Sequence, residues 1–404
     1  MTTTHQPDLG ALFDPANRPN PYPLFARLRA AGPFSVMDGA ITVLGEHGTC
    51  AAVLRDPKFS SERTRSRLPR RFNRDSNERN ASFLSLDPPD HTRLRRLVSK
   101  AFTPGVVARL EPRIREIVAE RFAAFGADGS VDIVSQLAYP LPVRVISELL
   151  GVPNADNERF EGWSRWLVRG LDPIMAVTDP TELGHIENAQ AEFEEYFADL
   201  IARRRTAPGE DLLSRLVQIE EQGDQLSERE LIATCTLLLV AGHETTANLI
   251  ANGVLALLRN PDQLAALRAD PGLIAGAVEE ILRYDPPVQL DNRVVREPTR
   301  FGDVETPTDG MLLLLLGAAN RDPAVFAEPD RFDITRDARQ HLSFAAGAHY
   351  CLGSPLARLE GAVALGAFAA RLRDPELDAD SLRYRPHVNL RGPERLVVGF
   401  AGLR

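Results

Sequence analysis

Phe344-Ala345-Ala346-Gly347-Ala348-His349-Tyr350-Cys351-Leu352-Gly353 stands directly ahead of an alanine-rich amphipathic run from Pro355 to Arg373. The periodicity of that run predicts a helix, which places Cys351 at its entry. At a helix N-terminus the unpaired backbone N–H groups and the positive end of the dipole favour a thiolate over a thiol. Gly347 and Gly353 let the backbone turn tightly and come close to whatever the sulfur holds. A lone cysteine at such a position is most often a small buried hydrophobe, so its meaning depends on the rest of the chain.

With 404 residues, 44% hydrophobic and 25% charged, the chain can bury a large core. No internal repeat, low-complexity tract or long linker divides it, so one domain spanning residues 1–404 is expected. Cys50, Cys235 and Cys351 are few and far apart, which argues against a disulfide framework and suits a reducing compartment. The start, Met1 to Asp8, has neither the basic region nor the apolar run of a signal peptide. No apolar stretch reaches the roughly 18 to 20 residues of a membrane span. A cytoplasmic protein with no membrane partner is the expectation, and a net charge of -9 gives no support for nucleic-acid binding.

Helical patterns dominate. Pro15, Pro19, Pro21 and Pro23 precede a helical run from Leu24 to Ala31, and further helices are predicted over Thr103–Phe125, Pro142–Leu150 and Ile186–Arg205. Short strands are predicted at Ile41–Leu44 and Arg395–Phe400. The pattern implies a mainly α domain with a long central helix and small antiparallel β-sheets, not an alternating α/β sheet.

The central helix begins at a capping box, Ser227-Glu228-Arg229-Glu230, and its pattern persists to Asn260-Pro261. It is apolar around its whole circumference at Leu237–Ala241, so it must cross the interior. There it carries Ala241-Gly242-His243-Glu244-Thr245-Thr246. Glycine costs about 1 kcal/mol in a helix, and an interior carboxylate costs more unless it is paired or solvated. His243-Glu244 does not open a zinc-protease helix, because Ala247 occupies the place of the second histidine. Two readings remain: an acid and an alcohol set side by side for proton chemistry where the helix is interrupted, or threonines that bond back to helix carbonyls and bend it.

Glu280-Ile281-Leu282-Arg283 puts an acid and a base on one helix face just before Pro286-Pro287, and Asn320 to Phe332 has the composition of a long ordered loop. Cys351 in its glycine-flanked loop, Glu244-Thr245 in a long helix, and Glu280/Arg283 ahead of such a loop together resemble the cytochrome P450 family, and the likeness runs over nearly the whole chain. Ala345 and Ala348 depart from the family's usual glycine and proline, which puts local loop geometry in question more than the ligand.

The resemblance implies a single P450-type domain, a haem b cofactor with Cys351 as axial thiolate ligand of its iron, and monooxygenase activity. It assigns Glu244 to proton supply and Thr245 to hydrogen bonding with the dioxygen substrate. It pairs Glu280 and Arg283 with Arg331 in a buried network behind the cysteine. His91, Arg95, Arg293 and His349 match positions that hold the haem propionates, with Asp291 as a further participant. His91 and Arg95 stand four apart and can point from one helix face, although any one basic residue alone is more often a solvated charge.

The substrate pocket is expected to include Leu237, Val240, Ala241, Val288, Gln289 and Leu390, an apolar set suited to a small hydrophobic substrate. Hydroxylation or epoxidation of a polyketide, terpenoid or aromatic scaffold leads. Oxidative coupling or desaturation, and a non-catalytic haem sensor or carrier, are the alternatives. No Gly-x-Gly-x-x-Gly fingerprint is present, so electrons are expected from a ferredoxin and ferredoxin reductase. Arg93, Arg96, Lys100 and Arg358 form the expected docking face, which could equally be a solvated basic surface. Arg63, Arg65, Arg67, Arg70, Arg71, Arg74 and Arg79 crowd residues 61–80, where they either attract an anionic or carrier-protein-bound substrate or merely solvate a loop.

Overall fold

The computed structural model describes residues 8–68, 82–126, 129–169, 180–221 and 224–404. The helices that position the site are α1 (Tyr22–Ala30), α2 (Asp90–Ala101), α3 (Pro104–Ala123), α4 (Pro140–Leu149), α5 (Asn157–Arg169), α6 (Pro180–Thr206), α7 (Glu228–Arg259), α8 (Ile274–Tyr284) and α9 (Ser354–Arg371). Proline starts α1, α3, α4 and α9, where its missing N–H costs nothing. At α7 the capping box forms as its residues imply: the Ser227 hydroxyl accepts from the Glu230 N–H, and the Glu230 carboxylate accepts from the Ser227 N–H.

From Leu239 to Leu257 nearly every side chain of α7 is buried, and the helix is the axis of the largest apolar cluster. Helices α8 and α9 press close to it. A Cβ added at Gly253 would lie 2.8 Å from a Leu365 methyl and 2.9 Å from an Ile281 methyl, so a larger residue there would have to push those side chains aside.

The strands are short: β1 (Phe34–Val36), β2 (Ile41–Leu44), β3 (Phe59–Ser60), β4 (Gly129–Asp132), β5 (Leu290–Val295), β6 (Met311–Leu315), β7 (Arg383–Tyr384), β8 (Pro393–Arg395) and β9 (Val397–Phe400). One five-stranded sheet runs β1-β2-β6-β5-β3. The antiparallel expectation fails at one place: β2 and β6 pair in parallel, Ile41 with Met311 through Leu44 with Leu314. Parallel pairing needs a long crossover, and most of the helical core lies between these two strands in sequence. β7 pairs with β8 and β4 with β9, both antiparallel. The predicted strand at Ile41–Leu44 forms with those bounds, whereas Arg395–Phe400 divides between β8 and β9.

The long loop after Asn320 is fastened to α8 by side chains. Arg283 donates from Nη1 to the carbonyls of Asn320 at 3.1 Å and Pro329 at 2.8 Å, and from Nη2 to that of Arg331 at 3.2 Å. The Asn320 amide spans the two ends of the loop, accepting from the Leu342 N–H at 2.7 Å and donating to the Ser343 hydroxyl at 2.8 Å. A segment with no ladder of its own thus has its backbone groups satisfied by buried polar side chains.

Candidate active site

The cysteine loop closes on itself ahead of α9. The Cys351 N–H donates to the Phe344 carbonyl at 2.9 Å, and the Tyr350 N–H to that of Gly347 at 3.1 Å. Gly347 has φ +69, and a Cβ there would meet the Leu54 carbonyl oxygen at 2.5 Å, so only glycine fits. Ala345, the departure noted in the sequence, sits at φ 56. An L-residue in that region is strained by about 1 to 2 kcal/mol. Ala345→Gly is therefore expected to stabilise the protein by up to about 1 kcal/mol, once the added flexibility of the unfolded chain is set against the relieved strain. Chemical denaturation of the two proteins side by side checks it.

Cys351 is partly buried at the start of α9. Burial raises its thiol above the ordinary range, against the backbone N–H groups of Gly353 and Ser354 and the charges of Arg95 and Arg358. The helix entry alone does not secure a thiolate. Coordination to a metal cation does.

Four basic residues converge beside the cysteine. The His91 and His349 rings lie 4.1 Å apart between centroids, and Arg95 on α2 donates to the Tyr350 carbonyl. Arg293 on β5 is buried and bonds Asp291 at 2.9 Å. His91 is 2% exposed, and neither ring nitrogen has a hydrogen-bond partner. Burial, followed by the charges of His91 and Arg293, pushes His349 down to about 4. Burial and the Arg95 charge lower His91 as well. Such mutual repulsion among buried bases fits an anionic group placed among them.

On α7, Glu244 is 1% exposed and ion-paired with Arg385, the residue that follows β7. Its other polar neighbours are Asn248 Nδ2 at 3.4 Å and His243 Nε2 at 3.7 Å. The interruption expected of this helix is absent: α7 is continuous from Glu228 to Arg259. Thr245 and Thr246 bond back to the carbonyls of Ala241 at 2.6 Å and Gly242 at 2.8 Å, which keeps their hydroxyls satisfied without breaking the ladder. Ala241 is exposed midway along this largely buried helix, so the stretch is not sealed from solvent there. His243 is fully buried with Ser164, 2.9 Å from Nδ1, and burial keeps it neutral.

Glu280 and Arg283 are both fully buried and joined by two bonds, 2.7 and 2.8 Å. The third partner differs from expectation. Arg331 contributes only its backbone carbonyl, while its side chain is 58% exposed and turned to Glu328 and Asp333. The side chain that approaches Glu280 is Arg336, 3.4 Å away. No residue spacing signals this, because an irregular loop has no periodicity from which to read a facing side.

Leu237, Val240, Val288 and Leu390 share the apolar cluster around α7. Gln289 does not face it. Its amide donates to the Pro286 carbonyl at 2.6 Å, and its Oε1 lies against Gly317, beside Phe25. Val288 bridges Leu390, and successive residues of an extended chain point to opposite sides. Of the arginine-rich segment, Arg70, Arg71, Arg74 and Arg79 lie outside the described residues. Arg65 pairs with Glu62, and Arg67 is exposed.

The sequence reading missed two acids flanking the cysteine helix. Glu279 is held at about 2: burial acts to raise it, but hydrogen bonds from His341 and Arg358 prevail. Glu360 on α9 is 2% exposed, its Oε2 has no partner, and burial pushes it up to about 8 from 4.5. Between those two values the unfolded chain binds fewer protons at this carboxyl than the folded one, so Glu360 makes stability fall as pH rises. Glu360→Gln is expected to remove that slope, so the stability of the variant relative to wild type rises by on the order of a few kcal/mol from pH 5 to pH 8. Urea titrations at both pH values measure the difference.

Among the described residues no group of three or more His, Cys, Asp or Glu comes together to hold a bare metal ion. A single sulfur donor suits an iron already held in a macrocycle, and the orphaned His91 nitrogens with their basic neighbours suit that macrocycle's carboxylates. Fold and site together define a haem-thiolate oxygenase. The chain belongs to the cytochrome P450 family, whose profile matches residues 34–271 and 272–373. It is 43% identical to the cytochrome P450 monooxygenase PikC of Streptomyces venezuelae over 98% of this chain and 95% of that one. The solved ligand-free CYP164A2 of Mycobacterium smegmatis superimposes with TM-score 0.89 at 47% identity, covering 97% and 99% of the two chains. P450BioI, solved with an acyl carrier protein bearing hexadec-9Z-enoic acid, superimposes at 0.88 with 37% identity over 96% and 99%. The enzyme is a monooxygenase whose cofactor is haem b. None of the described helices is long and apolar enough to cross a membrane.

Proposed function

We propose that this monooxygenase hydroxylates or epoxidises a largely hydrophobic specialised metabolite, such as a polyketide, terpenoid or aromatic scaffold, with Glu244 and Thr245 managing the protons. The observation that carries the reading is Glu244 itself, a carboxylate 1% exposed beside Thr245 on the long helix through the core, one turn from the exposed Ala241. A protein that only bound ligands would gain nothing from an acid so costly to bury.

When bound, haem would supply the oxidising chemistry by which one atom of dioxygen enters substrate and the other leaves as water, two electrons and two protons being taken up. Cys351 is the residue that holds its iron, while His91, Arg95, Arg293 and His349 hold its carboxylates. Glu244 stands one turn from the exposed Ala241 as the acid-base group, and Thr245 beside it presents a hydroxyl that both donates and accepts. Leu237, Val240, Val288 and Leu390 exclude water and favour an apolar substrate.

The two electrons come from a ferredoxin and its reductase in a cytoplasmic setting, in keeping with three free cysteines. Arg93, Arg96 and Arg358 pair with Asp224, Glu230 and Glu279 within the chain, and the basic face they form with Lys100 is the one to meet an acidic partner. A carrier-bound substrate, as held by P450BioI, would meet the half-exposed Arg63 and exposed Arg65 and Arg67. A ligand screen that reads the haem absorption shift, followed by substrate-dependent oxygen consumption with ferredoxin and reductase, tests the reading. Shifts with hydrophobic ligands but no oxygen consumption would make the protein a haem carrier, and coupled or desaturated products would change the reaction type.

A further inference from the structure

We propose that Asn252 is a positioning residue for the substrate pocket, its one amide holding both Val288 and Leu390 at a fixed place against α7. The inference rests on the reading of those two residues as pocket walls.

Asn252 is fully buried on α7. Its Nδ2 donates to the Asp285 carbonyl and to the Arg391 carbonyl, each at 3.0 Å. Two carbonyls facing one end of an amide require that end to be the nitrogen, so both N–H groups are occupied by these bonds.

The two carbonyls belong to the chain segments that carry the walls. Asp285 caps the end of α8 three residues before Val288, and Arg391 directly follows Leu390. Between Asp285 and Val288 stand Pro286 and Pro287, which have no N–H to donate, so this stretch is held through its carbonyls. The segments also hold each other. Val288 bridges Leu390, the Gln289 N–H donates to the Asn389 carbonyl at 2.9 Å, and the Arg391 N–H donates to the Pro287 carbonyl at 2.8 Å. Arg391 Nε adds a bond to Asp285 Oδ1 at 2.6 Å. The two segments thus form one unit, and Asn252 fastens that unit to the helix. The fit is close: a Cβ on Gly392, beside Arg391, would run into the Asn248 amide.

Asn252 stands seven residues beyond Thr245, about two turns and roughly 10 Å along the same face of α7. One rigid helix therefore carries both the acid-alcohol pair and the fastening point of the walls. Helical rise, not loop geometry, sets the offset at which a substrate resting on Val288 and Leu390 meets Thr245.

The test titrates two iron-binding azoles into the haem-loaded enzyme and reads the absorption shift. Clotrimazole is bulky and hydrophobic and reaches the pocket walls, whereas imidazole needs only the iron. Asn252→Leu is close to asparagine in size but has no donor, and Asn252→Ser carries a hydroxyl that bonds back to its own helix. Both lose the fastening. Each is expected to weaken clotrimazole binding by about tenfold, roughly 1.4 kcal/mol, and to leave imidazole affinity, haem content and the ferrous carbon monoxide band unchanged. A variant that was only less stable, with its walls in place, would bind both azoles as wild type does. Should N252L not retain haem, N252S decides by the same titrations. Val288→Ala and Leu390→Ala supply the reference. If these weaken clotrimazole but the Asn252 variants do not, or if the Asn252 variants weaken imidazole equally or both lose haem, this inference fails alone. If neither alanine variant weakens clotrimazole, the walls are wrongly assigned, and the inference falls with that reading.

Discussion

Replacing Cys351 by serine is expected to abolish the red-shifted Soret band of the ferrous, carbon monoxide-treated protein and to lower product formation by at least about 100-fold, beyond the roughly 10- to 100-fold typical of changes outside the ligand shell. The alcohol is nearly isosteric, but its oxygen is a far poorer anion and a harder ligand than sulfur. The chain's other cysteines offer no substitute. Cys50 and Cys235 are fully buried, and burial raises both thiols strongly. The loop should survive the change, because its closing bonds run through the Cys351 backbone N–H, the Phe344 carbonyl and the Gly347 turn, not through the sulfur. Unaltered helix content by circular dichroism with a lost band is the expected pair of results. A serine variant that kept the red-shifted band would end the assignment of Cys351 as ligand.

Arg283→Ala should have the largest effect on stability. It takes the bidentate partner from the fully buried Glu280 and leaves it only Arg336 at 3.4 Å and the Asp333 N–H; breaking a buried pair typically costs about 3 to 5 kcal/mol. It also strips donors from the carbonyls of Asn320, Pro329 and Arg331, and those bonds fasten the long loop. Against a total stability of roughly 5 to 15 kcal/mol, the variant should fold poorly and retain little haem. Lysine should not rescue it, because a point charge cannot serve a bidentate carboxylate and three carbonyls at once. Glu280→Gln combined with Arg283→Met removes both charges and should recover part of the loss, since neutral replacement of a buried pair is far milder than breaking it. Thermal melts and haem content of the three variants decide the matter; a stable, haem-replete R283A protein would show the pair to be dispensable.

Residues close together in sequence were legible in advance. The capping box at Ser227–Glu230, the helix after Cys351, and the Glu280–Arg283 pair all depend on neighbours within a turn or two, and each forms. The demand that Glu244 be paired or solvated was legible too, as a consequence of its burial. The identity of its partner was not: Arg385 is 141 residues away and belongs to no motif. Arg336 in place of Arg331, and the side to which Gln289 turns, were hidden for the same reason, since irregular backbone carries no period.

By its own pattern the sequence determined a mainly helical chain with a cysteine at a helix entry and an acid-alcohol pair in a buried helix, because caps, turns and periodicities act over a few residues. Only the tertiary structure decided how those parts are served. It set β2 beside β6 in parallel, brought His91 to within 4.1 Å of His349, and gave Glu244 a cation. Burial is the physical reason. Once water is excluded, each charge and each open hydrogen-bonding group must be satisfied by whatever the fold places nearest, and distance along the chain no longer matters.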